Sequence, residues 1–147
     1  DILCSRGKIA GILLEHGISG QSISHTISGI GLNLNQSEFP GFPQPASSLF
    51  LETGRKIPPE KFAEILVEKI RIGYQELRDG EEAELEKRYL DRLFRLGEAS
   101  SFEAGAASFT GIVRGVNNLG ELLVEAEGEI RSFGHGEILL KEAYRLT

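Results

Sequence analysis

Hydrophobic positions along this chain follow three successive rhythms, and the changes of rhythm predict its elements. Residues 8–15 (KIAGILLE) are rich in apolar and β-branched side chains, and residues 16–20 (HGISG) supply turn chemistry. Residues 22–29 then alternate, with Ile23, His25 and Ile27 on one face and Ser24, Thr26 and Ser28 on the other. Period-two patterning on both sides of a glycine-bearing turn predicts a β-hairpin. Its second strand is expected to continue through Gly29-Ile30-Gly31-Leu32-Asn33-Leu34-Asn35. Glycines inside a strand commonly mark the close approach of another backbone or of a ligand.

The rhythm changes after a loop. Prolines at 40, 43 and 45 make residues 36–45 irregular. Residues 46–52 suit a short helix stopped by Gly54. Pro59 suits the first position of a longer helix running to about Arg78, where Phe62, Leu66, Ile70, Gly73 and Leu77 share a stripe. Asp79-Gly80 breaks it. A second helix, 81–96, is expected to bury Leu85, Tyr89 and Leu93 and to end at Gly97. From residue 98 onward the chain turns to short strands, predicted at 109–116, 121–125, 129–133 and 137–141. Asn117-Asn118-Leu119-Gly120 and Ala126-Glu127-Gly128 are the expected hairpin connections. Short, tightly joined strands suggest a small barrel. The expected architecture is α+β, with a domain boundary near Gly97.

Composition narrows the class. The 147 residues are 40% hydrophobic and 26% charged, ordinary values for a globular protein. A net charge of −6 argues against a general nucleic-acid-binding surface. No apolar run reaches the roughly 20 residues needed to span a bilayer, and no secretory segment opens the chain. The single cysteine, Cys4, excludes an internal disulfide and fits a reducing cytoplasm. There is no methionine, so the chain reads as a fragment of a longer protein.

Few residues offer chemistry. Lys8 opens the first long strand, either as a solvated lysine closing it or as a fixed cation aimed at an anionic substrate. Gly29 and Gly31 either relieve crowding or leave room for a flat ligand on the strand. Asn33 either forms a local turn or offers its amide to a phosphate or a purine. His25 sits on the apolar face and is expected to pack. Three scattered histidines and one cysteine lack metal-ligand spacing. Gly29-x-Gly31 lacks the third glycine and following helix of a dinucleotide fingerprint. The acidic run 81–86 is a solvated helix start, and no nucleophile with a paired base is visible.

Three segments together resemble the biotin protein ligase family. Asp1, followed by Lys8-Ile9-Ala10-Gly11-Ile12-Leu13-Leu14-Glu15, is similar to the family's Trp-Pro-Asn-Asp leading to Lys-x-Ala-Gly-Ile-Leu-x-Glu. Gly29-Ile30-Gly31-Leu32-Asn33 resembles its Gly-x-Gly-x-Asn strand, followed by a proline-bearing loop and Ala46-Ser47-Ser48-Leu49. Residues 111–116 (GIVRGV) and 120–124 (GELLV) resemble the hairpin of its C-terminal domain. Each motif alone is weak; their order across nearly the whole chain carries the likeness.

The resemblance implies that residues 1–97 are the C-terminal part of a mixed-sheet, class II synthetase-like catalytic domain, and that residues 98–147 form a small SH3-like β-barrel. It implies ATP-dependent attachment of biotin, through biotinyl-AMP and with Mg²⁺ assisting, to a lysine of a biotin carrier domain. Lys8 matches the essential lysine that contacts biotin carboxylate and α-phosphate. Gly11, Ile12, Gly29, Gly31 and Leu32, with Lys8, match biotin-site positions. Asn33 and Arg114 match positions near ATP.

Departures accompany the match. The family's glycine- and arginine-rich loop is absent, only Asp1 remains of Trp-Pro-Asn-Asp, and the barrel lacks a tryptophan often found there. The active site is therefore expected to be incomplete in this stretch alone. Two alternatives stay open: a lipoate ligase-like acyl-adenylate enzyme, and a non-catalytic module that dimerises through the edge of strand 22–29. DNA would be a partner only if a helix-turn-helix domain preceded Asp1.

Overall fold

The computed structural model describes residues 1–20, 22–41 and 44–141. It is a mixed α+β chain with two antiparallel sheets. Among the described residues, contacts divide it into two compact units, residues 1–65 and residues 66–141.

The first unit holds a three-stranded sheet in the order β1-β2-β3: β1 (Ile2–Cys4), β2 (Gly7–Ser19) and β3 (Ser22–Leu32). The hairpin expected from the alternation is present but longer, because β2 runs on through residues 16–19 instead of turning there. A register shift between Gly17 and Ile18 absorbs the misfit. At Gly17 a side chain would overlap the His25 ring, so this glycine makes room for an exposed histidine. The expectation that His25 packs on an apolar face is thus corrected. Both faces of this hairpin are open, with Leu13, Ile18, Ile23 and Ile27 each more than half exposed.

The short helix forms one turn later than expected, as α1 (Leu49–Thr53). Ser48 caps it, its hydroxyl accepting from Leu51 N–H at 3.1 Å, and Gly54 ends it in the left-handed conformation. Ala46 instead makes a parallel bridge to Lys8. α2 (Pro59–Arg78) begins at Pro59 as predicted. Its stripe is only partly covered: Phe62 and Leu66 are half-buried, whereas Ile70 and Leu77 are 49% and 45% exposed.

α3 (Glu82–Leu90) is shorter than the helix predicted over 81–96. Residues after it are drawn into the second sheet: Leu96 bridges Val113, and Gly97 N–H donates to Val113 C=O at 2.9 Å. Tyr89, expected inside, is 52% exposed. The five-stranded sheet runs β7-β6-β5-β4-β8, comprising β4 (Ala99–Ala104), β5 (Ala107–Val116), β6 (Leu122–Ala126), β7 (Glu129–Phe133) and β8 (Leu139–Leu140). β4 has no counterpart in the sequence expectations, since residues 99–104 (ASSFEA) carry little alternation. Phe102, Val113 and Val124 form its buried centre, with Leu93, Phe109, Leu122, Phe133, Ile138 and Leu140 packed around them. Glu127 and Gly128, both at positive φ, make the tight β6–β7 turn. Among the described residues the strand pairings leave an open sheet and do not close a barrel.

Candidate functional site

Lys8 is the second residue of β2, and its backbone is clamped on both sides. Its N–H donates to Pro45 C=O at 2.9 Å, and its C=O accepts from Ser47 N–H at 2.8 Å. Gly7 makes this approach possible. A side chain there would overlap the Pro45 carbonyl, and φ is +135°, a conformation glycine adopts without strain. The cation is therefore carried on a main chain fixed by a second segment.

The Lys8 ammonium meets Asp1 at 2.8 Å, with both side chains more than a third exposed. An exposed pair of this kind contributes about 0–1 kcal/mol, so an anionic ligand can compete for the ammonium. β1 and β2 shift register opposite Ile9: Leu3 faces Lys8, while Ile2 faces Ala10. A bulge re-aims side chains, and here strict alternation does not carry from Lys8 to Gly11. A methyl group at Gly11 would lie 3.5 Å from both Lys8 Nζ and Asp1 Oδ1. Gly11 is thus the floor under the ion pair.

Gly11 is the cross-strand partner of Gly31, and Leu13 of Gly29. At Gly31 an added methyl would meet nothing within 4 Å, and at Gly29 only the Leu13 carbonyl at 3.9 Å. Neither glycine is required by crowding. Ile12 pairs with Ile30 and is 45% exposed, while half-buried Leu32 pairs with Ala10. Leu32 also lines a shallow cavity of about 450 Å³ with Leu34, Asn35, Gln36 and Pro59.

Asn33 follows the end of β3 and has a definite structural task. Its N–H donates to Ile9 C=O at 2.9 Å, and its Nδ2 donates to Ser47 C=O at 3.0 Å. The side-chain bond holds the 45–47 segment against the hairpin and leaves Oδ1 able to accept. Asn35 makes a similar clamp, donating from Nδ2 to Ile57 C=O at 2.8 Å and accepting Ile57 N–H on Oδ1 at 2.9 Å.

Sequence reasoning missed the layer behind Lys8. Ser47 and Ser48 are fully buried. Ser47 Oγ donates to Glu52 Oε1 at 2.5 Å, and Ser5 Oγ donates to Glu52 Oε2 at 2.7 Å. These two bonds, Ser47 first, hold the Glu52 carboxyl below the usual carboxylate range, helped by the Arg6 backbone. Ser5 and Glu52 are 47 positions apart, and no spacing rule connects them. The Asp1 contact had a signal, the retained Asp of Trp-Pro-Asn-Asp. Burial, then the Glu52 charge, pushes the Cys4 thiol up, which disfavours its thiolate.

Arg114 belongs to the other compact unit. It is the extra residue of a β5 bulge, between Val113 opposite Val124 and Gly115 opposite Leu123. Its Nε donates to Glu125 Oε2 at 2.6 Å. No group of three or more His, Cys, Asp or Glu gathers as a metal site among the described residues.

This hairpin, cation and glycine floor sit in a fold already seen in an enzyme class. The structure shares its fold with the biotin protein ligase of Aquifex aeolicus. It matches the apo form with a TM-score of 0.72 at 23% identity, covering 95% of this chain and 61% of that one. It matches the form solved with biotin and ATP with a TM-score of 0.70 at 23% identity, over 95% of this chain and 58% of that one. In sequence, the chain is 33% identical over 128 residues to the biotin–[acetyl-CoA-carboxylase] ligase of Paracoccus denitrificans. The match takes in 84% of this chain and 53% of that relative, so the chain spans about half of the enzyme it resembles. No protein-family model matches. The likeness first drawn from three motifs is borne out: the chain is similar in sequence and in fold to biotin protein ligases.

Proposed function

We propose that this chain is the C-terminal part of a biotin protein ligase and supplies one wall of its adenylation site. The observation that carries this is the Lys8 ammonium, fixed over Gly11 on a strand whose partner glycine, Gly31, opens onto free space. A cation on a clamped backbone can hold two anionic reactants together and stabilise charge that develops between them.

In the proposed reaction a biotin carboxylate oxygen attacks the α-phosphorus of ATP. The bond from that phosphorus to the bridging oxygen breaks, and pyrophosphate leaves. Lys8 touches the carboxylate and the α-phosphate throughout. Gly11, Gly29 and Gly31 line the biotin side, their bare backbone letting the fused rings lie close; Ile12 and Leu32, whose side chains belong to the other face by the strand register, would contribute through their main chain. Asn33 Oδ1 accepts from the adenine amine; Arg114, in the second unit, is assigned to ATP by the family resemblance alone. A carrier-domain lysine amine then attacks the mixed anhydride carbonyl, and AMP leaves. Mg²⁺, which the family resemblance implies, would assist by neutralising charge on the triphosphate; no step here depends on it.

The boundary near Gly97 stays a proposal: it rests on α3 ending at Leu90 and the strands of the second sheet beginning at Ala99, whereas contacts divide the chain earlier, after Ile65. We propose residues 98–147 as an SH3-like domain on that basis. Among the described residues no helix is long and apolar enough to cross a membrane. A lone free cysteine suits a reducing, cytoplasmic setting. β3 is the outer strand of its sheet and carries exposed Ile23 and Ile27, which supports self-pairing as a homodimer. Size-exclusion chromatography over a concentration series tests that point.

Biotin-dependent exchange of labelled pyrophosphate into ATP by the full-length protein tests the function. Exchange with biotin, absent with lipoate, is the expected result. Exchange with lipoate alone would make the protein a different acyl-adenylate enzyme, and none with either would overturn the proposal.

A further inference from the structure

We propose that Glu52 is a positioning residue for Lys8, acting through Ser5 and Ser47; the inference rests on the catalytic role proposed for Lys8. The path is short and continuous. Glu52 Oε2 holds Ser5, in the turn that delivers the chain into β2 three residues before Lys8. Glu52 Oε1 holds fully buried Ser47, whose N–H bonds the Lys8 carbonyl. One carboxylate therefore grips both pieces of chain that fix the Lys8 backbone. Because Glu52 lies on α1, capped at one end by Ser48 and at the other by Gly54, the grip is anchored to a defined element.

The chemistry suits a carboxylate. It accepts from both serine hydroxyls at once, and charge-assisted bonds of this kind are shorter and about twice as strong as neutral ones. Its lowered pKa keeps it ionised at neutral pH. Both Glu52 oxygens are engaged by serine hydroxyls, so in this proposal its effect passes through the Lys8 backbone. Misplacing a catalytic group by about 1 Å can cost up to roughly 10²-fold in rate.

The test is a cycle of variants in the full-length protein, read by biotin-dependent pyrophosphate exchange, calorimetric affinity for ATP and thermal melting. Glu52→Ala should lower kcat of exchange about 10- to 100-fold with a smaller change in KM. Glu52→Gln should recover most of the rate, since serine hydroxyls can donate to the amide oxygen and accept from its NH₂. In a Lys8→Ala background, Glu52→Ala should cost less than about twofold more in either rate or ATP affinity, because the group it positions is gone. Equal losses in both backgrounds would overturn the proposal and leave Glu52 merely structural. If Glu52→Ala does not fold, Ser5→Ala, which removes one of the two grips, carries the same cycle. Should Lys8→Ala leave exchange unchanged, the role of Lys8 itself fails, an outcome distinct from equal losses.

Discussion

In the five-stranded sheet Phe102, Val113 and Val124 retain 3%, 4% and 0% of their exposure, whereas in the three-stranded sheet Ile9 and Ala10 are the hydrophobic side chains buried to that degree. The three-stranded sheet, first in chain order, keeps Leu13, Leu14, Ile18, Ile23 and Ile27 exposed. Its order comes from polar ties instead: the Lys8 clamp, the Asn33 and Asn35 amides, and the Glu52 serine pair. One sheet is held by packing and the other by directional bonds. Packing stabilises without leaving a surface free, while directional bonds hold a backbone still and leave its glycines bare. The second arrangement is the one a ligand can use.

The sharpest way to break the comparison is to remove the packed centre. Phe102→Ala deletes a ring that sits 5.8 Å from Phe109 and fills the middle of the second sheet. Truncating a buried Phe costs about 3–5 kcal/mol, and melting of the purified variant should show that loss. A change below about 1 kcal/mol would mean that the sheet is not held by this cluster. Lys8→Ala is the counterpart in the first sheet and should behave oppositely. Exchange should fall about 10²–10³-fold, while stability moves by no more than about 1 kcal/mol, the worth of an exposed ion pair. Near wild-type exchange would remove Lys8 from the chemistry.

Two glycines sharpen the contrast further. Gly111 is buried, and a methyl there would press on Val124 Cγ1 and lie 3.1 Å from the Glu125 carbonyl. Gly111→Ala should destabilise by about 1–3 kcal/mol through overpacking. Gly31→Val meets empty space in the free protein and should leave stability within about 1 kcal/mol. It should instead weaken biotin and ATP binding, read by calorimetry, because the side chain occupies the place assigned to the adenylate. An unchanged affinity with a lowered melting temperature would return Gly31 to a purely structural role.

Sequence made the period of each region legible, and with it the β2–β3 hairpin and the start of α2 at Pro59. It was less informative where tertiary pairing overrides local pattern. Residues 91–96 carry the same helical pattern as 82–90 yet leave the helix, because Leu96 and Gly97 bond to Val113. Nothing in residues 99–104 announces β4, whose strand character comes from its pairing with β5. In the site, Lys8, Gly31 and Asn33 stood out because motif spacing is local. Glu52 did not, since its partners at 5 and 47 become neighbours only after the chain folds. That Gly11 floors the Lys8–Asp1 pair was equally hidden, because a register shift between β1 and β2 breaks the alternation that would have assigned it.

The smallest expected effect concerns acid stability and again separates the two sheets. Glu52 titrates below the usual carboxylate range in the folded protein because Ser47 and Ser5 donate to its charged form. The unfolded chain regains an ordinary value of about 4.3. A carboxyl whose pKa is depressed on folding contributes stability that is fully present above its unfolded pKa and is lost as pH falls through its folded pKa. The gap in melting temperature between the native sequence and Glu52→Gln should therefore be widest at neutral pH and close progressively below about pH 4. Water screens this half-buried group, so the contribution stays under about 1 kcal/mol, or roughly 2–4 °C. Gly111→Ala, which disturbs packing and no titrating group, should instead keep a constant gap over the same pH range. A Glu52→Gln gap that stayed equally flat would mean that the serine pair does not favour the charged carboxylate, and that the first sheet draws no stability from it.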